Sequence, residues 1–186
     1  MHIARVAAAV IILSAFACAG SLSGHVKTPG LSVVMLDDGK PHPSTMPNAK
    51  IDQRGMRFVP VLLVVPVGTT VEFVNSDPAA HNVYWPNISG DKKLGHNLGT
   101  FPQGQGRSFK FDHPGNVPLL CNVHPEMTGT LIVAPTPYFG QSDQILGDYF
   151  IAGVPDGTYK LTIWHAGKIS PPQSVQVKGD TKKDLP

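Results

Sequence analysis

The sequence predicts an all-β protein, and its composition is the first support for this. The chain has 186 residues, of which only 15% are charged, and it contains 19 glycines and 18 prolines. Such frequent turn residues favour many short strands over long helices. The length suits one medium domain, or one domain with a small additional unit. The formal net charge of +2 is too small to indicate nucleic acid or an anionic membrane as the main partner.

Residues 1–19 have the pattern of a signal peptide. One arginine precedes an apolar run at residues 6–17, and the small-residue pattern that follows suits cleavage before Gly20. The run is shorter than the ~20 residues that a membrane span needs, so we expect no span in the mature chain. A lipoprotein anchored at Cys18 is an alternative that the residues before it disfavour. The sequence therefore predicts a periplasmic or secreted protein.

Strand patterns precede a histidine in the middle of the chain. Residues 61–65 form a continuous apolar run, and Val71 and Phe73 then alternate with a polar residue as in a half-buried strand. The Asn-Ser-Asp-Pro segment at residues 75–78 ends that strand. We expect the loop that begins there to deliver His81.

A second pair of predicted strands flanks a short loop. Strands are expected at residues 117–120 and 130–133, where apolar residues dominate. The loop between them contains Cys121, His124 and Met127 in the sequence CNVHPEM. These side chains could therefore converge on one point at the ends of two consecutive strands.

The ligand types in this loop, together with His81, favour copper. Cys121 becomes the only thiol once the predicted signal peptide is removed, which excludes an internal disulfide. A thiolate, two imidazoles and a weak thioether form the ligand set of a blue copper site. Zinc is the main competitor, but structural zinc prefers four strong ligands and rarely accepts a thioether. No haem-attachment sequence is present, and a Cys-x-x-His turn gives no specific cysteine-protease geometry.

Residues 53–135 resemble the cupredoxins, the blue type 1 copper proteins of plastocyanin and amicyanin type. The resemblance rests on the His81-Asn82 pair and on the short C-x-x-H-x-x-M loop. It implies a Greek-key β-sandwich with one type 1 copper ion near one end. It also implies that Asn75 helps to tie the two ligand loops together. The metal ligands that it implies are His81, Cys121, His124 and Met127.

The wider sequence resembles one group of these proteins. The segments VGTTVEFVNSD, PYF and VPDGTYKLTIWHAG, together with the ligand loop, are similar to secreted plastocyanin-like proteins that are labelled methylamine-utilisation proteins. That label assigns no physiological role.

Residues 136–186 predict a further β-unit. Residues 149–151 and 159–164 alternate as strands do, and the Pro-Asp-Gly turn at residues 155–157 predicts that they form a hairpin. This segment resembles the carboxypeptidase regulatory-like or transthyretin-like β-sandwich module. Trp164 is expected to pack between the β-units.

The N-terminal segment is predicted to complete this second unit. Strands from residues 20–50 would pair with the C-terminal segment, and a copper domain at residues 51–135 would be inserted between them. The alternative is that the terminal strands simply extend the cupredoxin sheets.

The predicted site suggests a one-electron carrier with a transient redox partner protein, and not an enzyme. The alternative is an extracytoplasmic copper-binding or copper-tolerance protein that holds or hands over the metal. Oxidase chemistry is disfavoured because the remaining histidines form no H-x-H pair. His96 is expected to be an exposed loop residue, and Glu126 and His165 have no assigned role.

Overall fold

The computed structural model describes residues 19–43 and 46–186. The predicted signal peptide lies outside the described residues except for Ala19, which begins the first strand. Within the described ranges the only helical element is a short 3₁₀ turn at Lys92–Leu94. The all-β prediction is confirmed. Nowhere in these ranges is a helix long and apolar enough to cross a membrane.

The strands of the described chain are short and are numbered here in chain order. They are β1 (Ala19–His25), β2 (Ser32–Asp37), β3 (Ala49–Gln53), β4 (Phe58–Val59), β5 (Leu62–Pro66), β6 (Thr69–Asn75), β7 (His81–Trp85), β8 (His96–Phe101), β9 (Gly106–Phe111), β10 (Gly115–Leu120), β11 (Thr128–Ala134), β12 (Phe139–Gln141), β13 (Asp148–Pro155), β14 (Gly157–His165), β15 (Lys168–Ile169), β16 (Gln173–Val177) and β17 (Asp180–Lys182).

Residues 46–134, here called the central region, form a two-sheet sandwich. One sheet has the strand order β5-β11-β10-β7-β8, and the other has the order β4-β3-β6-β9. Strand β6 buries alternate residues, as its sequence predicts. Its inward side chains Val71 and Phe73 join an apolar core that also contains Trp85, Phe101 and Phe111. This burial is the main source of stability because apolar area removed from water contributes roughly 25 cal/mol per Å².

Residues 19–43 and 135–186, here called the terminal region, form two further sheets. In the first, β1 lies between β13 and β17, and in the second the order is β12-β2-β14-β15, with β16 also paired to β14. Strand β1 approaches its parallel neighbour β17 very closely. A Cβ atom at Gly20 or Gly24 would collide with the backbone of Gly179 or Lys183, so glycine is required at both positions.

The hairpin predicted around residues 155–157 is wrong. Strands β13 and β14 do follow one another, but β13 pairs with β1 while β14 pairs with β2 and β16. The turn therefore carries the chain from one sheet of the terminal region to the other. The alternation predicted for residues 159–164 is nevertheless present, since Tyr159, Leu161 and Ile163 are all buried in the core of the terminal region.

Strand β2 connects the two regions because it is buried on both faces. Val34 and Leu36 belong to the core of the terminal region. Val33 and Met35 belong to a third apolar cluster that lies between the regions and includes Trp164. The continuous apolar run of β2 is typical of a strand covered on both sides.

Strand β11 plays the same part on the central side. Leu131 and Val133 are in the central core, whereas Ile132 and Ala134 are in the cluster between the regions. The indole Nε1 of Trp164 also donates a hydrogen bond of 2.9 Å to Asn116 Oδ1 across this junction. Whether the two regions are separate domains, with the predicted boundaries, stays a prediction.

Candidate metal centre

The loop at residues 121–127 is closed at its base by two paired strands. Strands β10 and β11 are antiparallel, and Leu120 pairs with Thr128 immediately outside the loop. Inside the loop, the backbone N–H of Met127 donates a 2.9 Å hydrogen bond to the carbonyl of His124. The loop thus leaves and re-enters the sheet at adjacent positions, which restricts where its side chains can lie.

His81 reaches the same place from a neighbouring strand. It is the first residue of β7, and β7 lies beside β10 in the sheet. His81 is fully buried, Cys121 is buried and His124 is half-buried. Each of the three offers one ligand atom, and these atoms all lie within 4.8 Å of one another. The structure therefore brings together three of the four predicted ligands.

The geometry of the two imidazoles suits a metal ion. The Nδ1 atoms of His81 and His124 are 3.0 Å apart, and Cys121 Sγ lies 4.0 Å from the Nδ1 of His124. The other ring nitrogen of His81, Nε2, is 2.8 Å from Asp77 Oδ2. A neutral His81 donates its one N–H to that carboxylate, so its Nδ1 presents a lone pair to the cluster. Two imidazole nitrogens and a thiolate fit copper.

The fourth predicted ligand, Met127, is buried and belongs to the central core. Its backbone position places it in the ligand loop, directly before β11. Its role as a metal ligand stays a prediction.

Asn82 connects the two ligand segments, which are the start of β7 with His81 and the loop at residues 121–127. Its backbone N–H donates to Cys121 Sγ at 3.4 Å, and its side-chain Oδ1 accepts from the backbone N–H of Asn122 at 3.3 Å. This N–H is positioned to donate to a thiolate, which is the metal-binding form of cysteine.

Asn75 does not make this link, although the family resemblance assigned the link to it. Its amide nitrogen donates to the carbonyls of Ala79 and Phe101 at 2.8 and 3.1 Å, and its Oδ1 accepts from the N–H of Asp77. Asn75 therefore shapes the loop before His81 and fastens that loop to β8. Because Asn75 is buried, losing these hydrogen bonds would lower the stability of the folded protein.

Asp77 is a site residue that the sequence reasoning missed, because it was considered only as a turn former. Its carboxylate accepts hydrogen bonds from the N–H groups of Gly55 at 2.6 Å and Met56 at 2.9 Å, besides contacting His81. Gly55 and Met56 both have left-handed backbone angles, with φ of 63° and 55°, so their N–H groups converge on the anion. The N–H of Met56 is the main cause that lowers the pKa of the Asp77 carboxyl below its ordinary value; burial opposes this, while Gly55 and His81 add to it.

His96 and His165 are not part of this cluster. His96 is exposed at the start of β8, and its ring packs against Trp85 and Phe109 at centroid distances of 5.5 and 4.6 Å. It is therefore a strand residue, not a loop residue. His165 lies in the terminal region, where its Nδ1 is 3.0 Å from Ser32 Oγ. Glu126 is exposed in the ligand loop.

Comparison with known proteins agrees with this geometry. Residues 45–134 match the family model described as copper binding proteins, plastocyanin/azurin family. Residues 45–134 belong to the cupredoxin family. Their cofactor is copper, and the matched residues contain both ligand segments.

The similar proteins include small copper proteins and a larger enzyme. Amicyanin-alpha from Methylorubrum extorquens is 26% identical over 121 residues, which cover 65% of this chain and 99% of the relative. A purple cupredoxin from Nitrosopumilus maritimus is 25% identical with a TM-score of 0.42, covering 47% of this chain and 100% of that one. A Cu-containing nitrite reductase from Thermus scotoductus SA-01 is 28% identical with a TM-score of 0.42; the match covers 50% of this chain and only 23% of the reductase.

Proposed function

We propose that this cupredoxin is a type 1 copper protein that carries one electron at a time between partner proteins outside the cytoplasm, and that it is not an enzyme. The observation that carries the proposal is the convergence of His81, Cys121 and His124 within 4.8 Å. Met127 is proposed as the fourth residue that would hold the ion. Copper, when bound, supplies the Cu(I)/Cu(II) couple.

The protein's own contribution is to keep the ligands in place during electron transfer. His81 and Cys121 are buried and are attached to adjacent paired strands. Asn82 holds the Cys121 segment to the His81 segment through the sulfur and through the backbone of Asn122. Ligands supported in this way move little between the two charge states, and a small rearrangement favours fast electron transfer.

His124 is proposed as the route by which the electron leaves. It is the one member of the cluster that is only half-buried, and its neighbour Val123 is 48% exposed. An apolar residue beside the exit suits brief docking, because the interfaces of electron-transfer encounters are small and weak. The partner is therefore proposed to be a redox protein that binds transiently.

The test is the visible absorption and EPR of the copper-loaded chain without its first 19 residues. We expect an intense thiolate-to-copper band that Cys121→Ser abolishes and that the control His96→Gln retains, because His96 lies outside the cluster. Rapid electron self-exchange, measured by NMR line broadening, is expected for the loaded protein.

Two outcomes would contradict the proposal. A colourless protein that prefers zinc would exclude the copper site. Copper that transfers readily to a chelator, combined with slow electron exchange, would replace the carrier with a protein that holds and hands over the metal.

A further inference from the structure

A buried carboxylate lies directly behind one of the ligand imidazoles. Asp77 Oδ2 is 2.8 Å from His81 Nε2, on the ring atom opposite to the cluster. His81 is fully buried and only 8% of Asp77 is exposed. The pair is thus largely shielded from water. Electrostatic interactions are stronger in such a buried environment than at the surface.

We propose that Asp77 is a positioning residue of the copper centre, which fixes the tautomer of His81 and whose negative charge favours Cu(II) over Cu(I). The proposal rests on the proposed function and adds a determinant of the copper redox equilibrium.

The first step of the argument is that Asp77 itself is held in place. Its two oxygens accept from the backbone N–H groups of Gly55 and Met56, and its own N–H donates to Asn75 Oδ1. The carboxylate therefore has no freedom to follow the imidazole. Instead, the imidazole is fixed against the carboxylate, with Nε2 as donor and the lone pair of Nδ1 directed at the cluster.

The second step concerns charge. Within the described ranges, no lysine or arginine nitrogen lies within 4.0 Å of the Asp77 carboxylate, and its ion-pair partner is His81 alone. The negative charge is therefore directed at the metal ligand. A carboxylate that accepts from a metal-bound histidine makes that histidine a more basic ligand, and a more basic ligand stabilises the more highly charged copper ion.

The terminal region contains a matched pair that serves as a control. His42 Nε2 lies 2.8 Å from Asp38 Oδ1, with the same spacing of four residues. Asp38 also accepts a backbone hydrogen bond, from Lys40 at 3.1 Å. His42 packs against Tyr138 and not against a thiol. Replacing Asp38 therefore removes a similar Asp–His contact in the terminal region, outside the ligand cluster.

The experiment compares Asp77→Asn with Asp38→Asn in the copper-binding chain. Affinities for Cu(II) and for Cu(I) are measured separately by competition with chelators. We expect Asp77→Asn to weaken Cu(II) binding about 10- to 100-fold and Cu(I) binding by less, so that their ratio falls about 10-fold or more. Asp38→Asn should leave the ratio unchanged. An equal loss for both ions in Asp77→Asn would overturn the electrostatic role.

A second measurement does not depend on the variant folding. Nitrogen-15 NMR of the wild-type Cu(I) protein should show a His81 Nε2 proton that is protected from exchange with water. A rapidly exchanging proton, or an unprotonated Nε2, would overturn the tautomer assignment. If the wild-type protein has no thiolate-to-copper band, the proposed function itself fails. If the band is present and the ratio is unchanged in Asp77→Asn, only the role of Asp77 fails.

Discussion

The central and terminal regions each contain an aspartate that contacts a histidine four residues later, but the surroundings of the two pairs differ. In each region a strand ends, an aspartate follows, and a histidine four residues later contacts that aspartate at 2.8 Å. In the central region the histidine begins β7 and lies beside the end of β10, where Cys121 stands. In the terminal region His42 meets the ring of Tyr138. The Asp–His pair is therefore not sufficient by itself to form the ligand cluster of the central region, which Cys121 and His124 complete.

The largest effect that separates the regions is expected from paired core truncations. Leu131 and Leu161 are both fully buried, the first in the central core and the second in the terminal core. Leu131→Ala and Leu161→Ala should each lower the free energy of unfolding by about 2–5 kcal/mol, because each leaves a cavity. Denaturant unfolding followed by circular dichroism measures this.

The two truncations should differ at the metal. Leu131 lies on β11, which continues directly from the ligand loop, so Leu131→Ala should also shift the thiolate-to-copper band. Leu161→Ala should leave the band in place. If both variants changed the band equally, the metal centre would depend on the central and terminal regions together and not on the central region alone.

A smaller effect, confined to alkaline pH, should mark the terminal region. Burial is the main cause that raises the pKa of Tyr149 and of Tyr159 to about 12. Their phenols donate to the carbonyls of Lys183 and Pro155, both at 2.7 Å. In the unfolded chain a tyrosine ionises near pH 10. The folded state therefore binds more protons above that pH, and stability present below about pH 10 should be lost as the pH rises towards about 12.

The expected loss is on the order of 2 kcal/mol per tyrosine at the upper end of this range. The measurement is the denaturant midpoint as a function of pH for the wild type and for Tyr149→Phe. The variant should lose less stability than the wild type between these pH values. Parallel curves would contradict the prediction.

The smallest effect is expected at the junction between the regions. Trp164→Phe removes the hydrogen bond to Asn116 and should cost about 1 kcal/mol. The chain has two tryptophans, so the variant also leaves Trp85 of the central region as the sole tryptophan, which can be excited selectively. Its fluorescence transition should then coincide with the transition seen by circular dichroism if the regions unfold together. Two separate transitions would show that they unfold independently.

Much of the metal centre was predictable because its signal is local. Cys121 and His124 are close in sequence, and one strand pair fixes the loop that contains them. The supporting contacts were less predictable, because they depend on which backbone groups meet after folding. Asp77 was interpreted only as a turn former, and the family resemblance assigned the link between the ligand loops to Asn75. The structure gives Asn75 a role within its own loop, gives Asn82 the link between ligand segments, and places Asp77 against His81.

Strand existence was predictable in the terminal region, but strand pairing was not. The alternation of Tyr159, Leu161 and Ile163 correctly indicated a half-buried strand. The Pro-Asp-Gly turn before it indicated a change of direction, which is compatible with a hairpin and with a passage between sheets. Residues far away in sequence decide between these, since β1 and β2 provide the actual partners.

Burial of β11 on both faces has a consequence for any attempt to isolate the copper-binding part. A fragment covering residues 46–134 would lose the strands that cover Val64, Ile132 and Ala134. These three side chains would become a contiguous exposed apolar surface on the sheet that holds the ligand loop. Such a fragment should self-associate unless polar residues replace these three side chains. The flanking segments therefore keep the metal-binding sandwich soluble by covering its outer apolar face.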